Sequence, residues 1–303
     1  MKRMVLLMMA FFLVATLAIL AASCAPAGKV ITVGSKEFTE QRLLGQMIKL
    51  VLEDAGWTVD DKTGLGGTMI ARLALLEGDI DVYMEYTGTA LLVHLGHEEP
   101  ITDPDLCYDT VRDEDLSQNG IVWLQPSLFN NTYTLMMRRV HAEDLGIESI
   151  SDLAAYVNDH PGELTFASGA EFQERPDGLP AVEATYGFEF QNVVQMDVGL
   201  TYMALYEGDV EVAMGFATTG LISAFDLVNL EDDLYFFPVY NVAPTLRQAF
   251  VDQHPEVVDI LNGIAPLLDA ETMQRLNNEV DSEHRDLEEV AREWLVQVGL
   301  LEE

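Results

Sequence analysis

Four aromatic residues stand where their rings could share one pocket, at the ends of predicted strands or where the chain crosses between predicted units. They are Tyr86, Tyr133, Phe216 and Tyr240. Flat rings around a pocket with no carboxylate at its centre suit a desolvated quaternary ammonium, which has no hydrogen to donate, and each ring face contributes roughly 0.5–2 kcal/mol. Several faces together could support micromolar binding once the cost of ordering is subtracted. For any single ring, a place in the core or at its rim is the ordinary alternative.

Two basic residues are the next candidates, because Lys and Arg are scarce: the chain has 16 of them against 51 Asp and Glu. Lys36 follows the first predicted strand, and Arg175 lies in a loop after a strand predicted near residues 164–167. Each therefore stands at the carboxyl end of a strand, one in each predicted unit. An ammonium and a guanidinium fork can hold a carboxylate between them through charge-assisted hydrogen bonds. The alternative for either residue alone is a surface salt bridge to one of the many acids.

The sequence contains no convincing catalytic set. It lacks a Gly-x-Ser-x-Gly elbow and a dinucleotide glycine pattern, and the glycine-rich run at 64–68 has no phosphate-loop lysine. His94 and His97 are spaced so that both could reach one metal ion, but no third ligand of comparable quality is evident. We therefore predict a solvated helix end there, no metal, no cofactor and no enzyme activity.

An internal repeat indicates how these residues are positioned. Residues 74–89 (ALLEGDIDVYMEYTGT) and 204–219 (ALYEGDVEVAMGFATT) align without gaps, and eight of the sixteen pairs are identical. Each copy is typical of a helix, a Gly-Asp turn and a strand that ends on an aromatic ring, Tyr86 or Phe216. With helices and strands alternating along the chain, the repeat predicts an α/β fold of two similar lobes with mostly parallel sheets. Ligands bind outside the carboxyl ends of such strands, so we expect a cleft between the lobes.

The net charge and the N-terminal segment indicate which partners the protein can have and where it is located. The 303 residues carry a formal net charge of −35, which argues against nucleic acid and anionic lipid as partners. Lys2, Arg3 and the apolar run at 4–20 are typical of a secretory signal. Cys24 follows small residues and makes the segment resemble a bacterial lipoprotein signal, which implies a lipidated N-terminus. A plain secretory signal or an uncleaved anchor is the alternative. Either way, we expect an extracytoplasmic, membrane-tethered chain in which Cys107 is a lone buried cysteine.

Longer motifs resemble the binding proteins of osmoprotectant ABC importers, which take up glycine betaine, carnitine, choline and related quaternary ammonium compounds. The resemblance covers nearly the whole mature chain. The residues that carry it are GSKEFTEQ at 34–41, LGGT at 65–68, GDIDVYMEYTGT at 78–89 and FFP at 236–238.

The resemblance implies a role for each candidate residue. It implies an aromatic cage formed by the four rings, a carboxylate held by Lys36, Thr89 and Arg175, and Asn131 at the floor or wall of the cage. Two departures stand out: the family usually has Tyr where this chain has Phe216, and Asp where it has Thr219. The first keeps a ring face and loses a hydroxyl; the second removes a loop carboxylate.

Together these observations predict a periplasmic-binding-protein-like fold of type II with two crossover strands as a hinge. The predicted limits are 1–23 for the signal peptide, 24–133 and 240–303 for the first lobe, and 134–239 for the second. The expected function is capture of a quaternary ammonium osmoprotectant, with glycine betaine or proline betaine favoured over carnitine and choline. Delivery to a membrane permease driven by an ATPase would follow. A binding protein for another polar solute such as an amino acid, or an enzyme on the same scaffold, is the alternative.

Overall fold

A computed structural model describes residues 29–302, which form two five-stranded sheets flanked by helices. The strands are β1 Val30–Lys36, β2 Thr58–Gly66, β3 Val82–Tyr86, β4 Ile121–Trp123, β5 Tyr133–Arg138, β6 Thr165–Ser168, β7 Asn192–Gln195, β8 Val212–Phe216, β9 Leu227–Asn229 and β10 Val242–Arg247. The signal segment and Cys24 lie outside the described residues.

Eleven helices of six residues or more occur in the described part of the chain. They are α1 Thr39–Asp54, α2 Thr68–Glu77, α3 Pro104–Asn119, α4 Arg139–Leu145, α5 Ile150–Asp159, α6 Leu179–Tyr186, α7 Val198–Glu207, α8 Gln248–Gln253, α9 Glu256–Leu261, α10 Ala270–Asp281 and α11 Leu287–Gln297. Shorter turns include Thr87–Thr89, Ala90–His94 and Glu171–Gln173. Over residues 29–302, no helix is both long and apolar enough to span a membrane.

Both sheets have the same strand arrangement, β2-β1-β3-β10-β4 in the first and β7-β6-β8-β5-β9 in the second. The α/β class and the two lobes are as predicted, and four of the five strands in each sheet run in the same direction, as expected. In each sheet the fourth strand, β10 or β5, runs antiparallel to both of its neighbours. The reason is the path of the chain: this strand arrives from the other sheet and enters beside the end of β3 or β8.

The internal repeat is a structural repeat. In both copies the helix ends on a glycine, Gly78 or Gly208, with φ of 83°, a left-handed conformation that a residue without Cβ adopts at low cost. The acid after the turn, Asp81 or Glu211, accepts a hydrogen bond from a backbone N–H of the neighbouring strand, at 2.9 and 2.8 Å. Each copy therefore fixes its strand, and the ring at its end, in the same way.

The segment predicted as the return strand, residues 235–240, is not a strand. Pro238 has no N–H to donate to a sheet, and the N–H groups of the preceding Phe236 and Phe237 donate to the Asp232 carboxylate instead. The segment is also tied to the outgoing crossing, because the Tyr240 N–H donates to Asn130 Oδ1 at 2.8 Å. The chain thus changes sheets within 124–132 and 230–241; the lobe limits themselves stay a prediction.

The C-terminal helix packs on the first lobe, as predicted. Val290, Ala291, Trp294 and Leu295 form the buried face of α11, which contacts α1. These residues belong to a core that also contains the inner face of β1. The last part of the chain therefore belongs with the first sheet.

A ring-lined cavity between the sheets

A cavity of about 700 Å³ lies between the two sheets, and every site residue predicted from the sequence contributes to its wall. Those residues are Lys36, Tyr86, Thr89, Asn131, Tyr133, Arg175, Phe216 and Tyr240. They come from both lobes and from both crossing segments, so the fold assembles the cavity from distant parts of the sequence.

The strand ends set the positions of the rings. Tyr86 is the last residue of β3, Phe216 is the last residue of β8, and Tyr133 is the first residue of β5. Tyr133 pairs directly with Phe216 in the second sheet. Their ring centroids are 5.2 Å apart, and those of Tyr133 and Tyr240 are 5.5 Å apart in an edge-to-face arrangement. The rings therefore converge, as the spacing predicted.

A fifth ring, Phe38, was missed in the sequence. It stacks on Phe216 with centroids 5.3 Å apart and on Tyr86 at 6.3 Å, and so joins rings from the two lobes. Phe38 and Phe216 also line a second cavity of about 480 Å³. The signal that could have found it is an aromatic residue between the first strand and its helix, within the motif at 34–41.

Lys36 is buried and paired with a buried acid, Glu85, at 2.6 Å. Glu85 also accepts from Tyr83 Oη at 2.8 Å and lies 3.0 Å from His94 Nε2. Burial alone would raise the pKa of Glu85, but the charge of Lys36 and the hydrogen bond to His94 hold it below its ordinary value. Burial lowers the pKa of His94. The prediction of a solvated helix end is therefore wrong for His94, which is part of this buried network.

Arg175 is paired in the same way. Its guanidinium holds Asp177 with two bonds of 2.7 and 2.6 Å, and Asp177 accepts from Tyr240 Oη at 2.5 Å. Arg175 also lies over the Tyr133 ring, 5.3 Å from its centroid. Its remaining N–H groups make long contacts of 3.4 Å to the Thr68 and Thr89 hydroxyls. The sequence identified both basic residues and missed the acids that neutralise them.

Glu171 reaches across the cleft into the same part of the cavity. Its carboxylate accepts from Arg175 Nη1 at 3.1 Å and from the Thr68 N–H, at the start of α2, at 3.4 Å. Burial would raise the pKa of Glu171, and the charges of Lys36 and Arg175 lower it below the ordinary value. The side chain is 43% exposed, whereas that of Arg175 is 5% exposed.

Glu40 is a buried acid behind the rings. It accepts from Tyr86 Oη at 2.7 Å, Asn131 Nδ2 at 2.8 Å, Thr218 Oγ1 at 2.6 Å and Asn277 Nδ2 at 2.9 Å. In the described part of the chain no basic group pairs with it, and burial raises its pKa in spite of these donors. Such a carboxylate is held by neutral donors alone.

The sequence led us to expect no carboxylate at the centre of the rings, and the two acids that contact the rings, Glu40 and Asp177, are not among the residues that line the cavity. The phenol groups of Tyr86 and Tyr240 donate to Glu40 and Asp177. A phenol that donates to a carboxylate is polarised and gains electron density in its ring. The two acids therefore lie at the hydroxyl ends of the rings and strengthen the attraction of those faces for a cation.

The remaining histidine and cysteine candidates do not form a metal or catalytic site in the described part of the chain. In residues 29–302 no cluster of three or more His, Cys, Asp or Glu could hold a metal ion. His97 contacts Glu114 at 3.1 Å. Cys107 is buried and free, as predicted, and burial raises the pKa of its thiol to about 11.

Two lobes joined by two crossings, with an aromatic and ion-paired cavity between them, define a solute-binding protein. The family described as the substrate binding domain of ABC-type glycine betaine transport systems matches residues 29–297, and the chain belongs to this family.

Among its relatives is the glycine-betaine-binding protein of Pseudomonas aeruginosa, 39% identical over 91% of this chain and 90% of that one. A chain of Helicobacter pylori named as both an ergothioneine transport permease and an ergothioneine binding protein is 32% identical over 90% of this chain and 48% of its own length. A solved structure titled glycine betaine/carnitine/choline ABC transporter matches with a TM-score of 0.71 and 29% identity, over 89% of this chain and 99% of that one.

Proposed function

We propose that the cavity binds a betaine-type zwitterion, with its quaternary ammonium among the rings and its carboxylate at Lys36, Thr89 and Arg175. The observation that carries this proposal is the convergence of rings from both lobes beside two buried basic groups in one cavity. Family membership supports the same class of ligand.

The cation end fits the rings for a physical reason. Tyr86, Tyr133, Phe216 and Tyr240 offer several faces within one enclosure, and a desolvated cation gains more from each face than an exposed one. The Oδ1 atom of Asn131 is buried and, among the described residues, has no hydrogen-bond partner. Its partial negative charge adds to the field that attracts the ammonium.

The basic groups that would bind the ligand carboxylate still have N–H groups with weak hydrogen bonds or none. Lys36 Nζ donates to Glu85 and has further hydrogens, and the 3.4 Å contacts of Arg175 to Thr68 and Thr89 are weak enough to be replaced. A ligand carboxylate would take these donors and displace Glu171. The gain is moderate, because Glu85 and Asp177 already neutralise both basic groups.

Titration calorimetry with glycine betaine, proline betaine, carnitine and choline tests this proposal. We expect the two small betaines to bind most tightly, carnitine next and choline most weakly, since choline has no carboxylate. Equal binding of choline and glycine betaine would remove the carboxylate clamp from the proposal, and no heat with any of the four would overturn the function.

The finer features of transport belong to the same proposal. The lobes, with the limits predicted from the sequence, close on the ligand by bending at 124–132 and 230–241. The closed form delivers the ligand to a membrane permease driven by an ATPase, outside the cytoplasm, from a lipid anchor on Cys24. Mass spectrometry of the mature N-terminus tests the anchor: a diacylated Cys24 is the expected result.

One observation favours a different polar solute. Glu37, Glu171 and Asp197 are also among the residues that line the cavity, and a carboxylate is what a primary ammonium would require. An amino acid is therefore the second candidate. The same calorimetry with a panel of amino acids decides between the two, because a primary amine that binds more tightly than every betaine would reverse the order.

A further inference from the structure

The second cavity, of about 480 Å³, is not used by the proposed betaine site. The residues that line it come from the start of α1 and the turn before it, from α7, from the segment after β8, and from the end of α10 and the residues that follow. Both sheets therefore contribute to this cavity as well. Since Phe38 and Phe216 line both cavities, the other residues of each wall decide which ligand it suits.

Aromatic side chains line the second cavity as they line the first. In addition to Phe38 and Phe216, they are Tyr202 on α7 and Phe225 after β8. The hydroxyl of Tyr202 is already engaged, because it accepts the Phe216 N–H at 2.8 Å. Aromatic side chains in such a wall suit an organic cation or an alkyl group.

The charged residues of the two cavities differ. Lys36 and Arg175 line the first cavity, whereas the described residues that line the second include no Lys or Arg. Glu40 and Asp281 line the second cavity and not the first. Glu40 is 3% exposed and is held by neutral donors, and Asp281 accepts from Thr39 Oγ1 at 2.6 Å. The second cavity therefore has acids in its wall without the basic residues that neutralise the acids near the first.

Both acids lack compensation for their burial. Burial raises the pKa of Glu40 and of Asp281, and hydrogen bonds offset the rise only in part. His284, which lines the same cavity, lowers the pKa of Asp281 only slightly further. Over the described residues, no Lys or Arg pairs with either acid. A positive charge brought into this cavity would stabilise both carboxylates.

Unused hydrogen-bond acceptors belong to the same wall. Asn277 lines the second cavity alone and Asn131 lines both, and the two side chains are 4% and 5% exposed. Each donates its Nδ2 to Glu40, and the Oδ1 of each is buried with no partner in residues 29–302. Because buried polar atoms are normally hydrogen-bonded, this wall lacks donors as well as positive charge.

We propose that the second cavity is a binding site for a small protonated amine, an alkylammonium ion without a carboxylate. Its charge compensates Glu40 and Asp281, its N–H groups supply the missing donors, and its alkyl part packs on the rings. A quaternary ammonium has no N–H group to donate. A zwitterion would bring its own carboxylate to a wall of acids. The two cavities thus select different nitrogen compounds.

Butylammonium chloride is the probe, and the methionines report where it binds. Met203 lines the second cavity only, and Met196 and Met214 line the first only. In protein with isotope-labelled methionine methyl groups, we expect butylammonium to shift the NMR signal of Met203 more than those of Met196 and Met214. Butyltrimethylammonium, which lacks N–H groups, and 1-butanol, which lacks the charge, should shift Met203 several-fold less at equal concentration.

Matched substitutions remove one acid from each cavity. Asp281→Asn keeps an acceptor for Thr39 and removes the charge, so butylammonium should bind about fivefold more weakly, with glycine betaine binding unchanged. Glu283→Gln, a nearby exposed acid that lines neither cavity, should change neither affinity. Glu171→Gln alters the first cavity only and should leave butylammonium binding as it is.

Three results would overturn the amine site. Absence of a Met203 shift at about 10 mM butylammonium excludes it. Shifts of Met196 and Met214 that Glu171→Gln weakens, with Met203 unmoved, assign the amine to the first cavity. Equal Met203 shifts with potassium chloride assign the second cavity to an inorganic cation. None of these three results depends on glycine betaine, so failure of the proposed function would be seen separately.

Discussion

The two ring-bearing strands are copies of one another in backbone and differ in what precedes the ring. Strand β3 ends in Glu85-Tyr86, and both side chains are buried in a polar network with Lys36 and Glu40. Strand β8 ends in Gly215-Phe216, where an added Cβ at the glycine would lie 2.7 Å from the sulfur of Met136. The repeat therefore fixes where the rings lie, while β3 carries a buried charge beside its ring and β8 carries none.

Removal of the charge that only β3 carries should have the largest effect. Glu85→Gln leaves Lys36 buried without its counter-charge, and breaking a buried pair in this way costs about 3–5 kcal/mol of unfolding free energy. Denaturant titration at pH 7 measures it, with Glu143→Gln as an exposed control. A loss below about 1 kcal/mol would mean that water reaches Lys36 when its counter-charge is absent.

The pH dependence has a definite sign. Because the folded pKa of Glu85 lies below its ordinary value of 4.5, its stabilising contribution is present above that value and is lost as the pH falls through the folded pKa. The difference between the wild type and Glu85→Gln should therefore shrink as the pH falls below 4.5. A difference that stays constant down to about pH 3, roughly 1.5 units below the ordinary value, would contradict the pairing.

The two equivalent rings should differ in their share of binding. Tyr86→Ala removes a buried ring that donates to Glu40 and should cost about 1–3 kcal/mol of binding free energy for glycine betaine. Phe216→Ala should cost less, because that ring is only half-buried and has no hydroxyl. Calorimetry measures both, with the exposed Tyr206→Ala as control. Unchanged dissociation constants in both ring variants would eliminate the cage.

Glu171 tests the side of the cavity that faces the carboxylate. Glu171→Gln removes a carboxylate that competes for Arg175 and the Thr68 N–H. Glycine betaine should therefore bind more tightly, by about 1 kcal/mol or less because the acid is partly exposed. Choline should gain nothing, since it has no carboxylate to put there. Glu174→Gln, a neighbouring exposed acid, is the matched control. An equal gain for both ligands would point to a general change in charge.

The smallest effect is expected where the sequence departs from its family. Phe216→Tyr restores the hydroxyl and keeps the ring face, so glycine betaine binding should change by less than about 1 kcal/mol. A larger gain in calorimetry would show that a hydroxyl at this position contacts the ligand.

Much of the site could be predicted because strand ends and repeats are local patterns. The repeat identified Tyr86 and Phe216 as equivalent strand ends. Both strands are the central strand of their sheet, so both rings lie at the cleft. The partners of the polar groups could not be found in this way. Glu40 meets Thr218 and Asn277, which are 178 and 237 residues further along the chain, and no spacing encodes such a contact. Asp177 was close to Arg175 in sequence, but which acid would pair with it depends on tertiary structure.

The two crossings are joined to one another, through the Tyr240 N–H on Asn130 Oδ1 and the Asn131 N–H on the Tyr240 carbonyl oxygen, at 2.8 and 3.1 Å. Two adjacent connections that are hydrogen-bonded to each other resist twisting and sliding of one lobe against the other. The motion that costs least is a bend of the lobes about an axis through the two connections. Since Asn131 and Tyr240 also line the cavity, that axis passes beside the cavity. A small angular change there is multiplied by the lever arm of each lobe, so the rim moves far while the contacts next to the axis barely change.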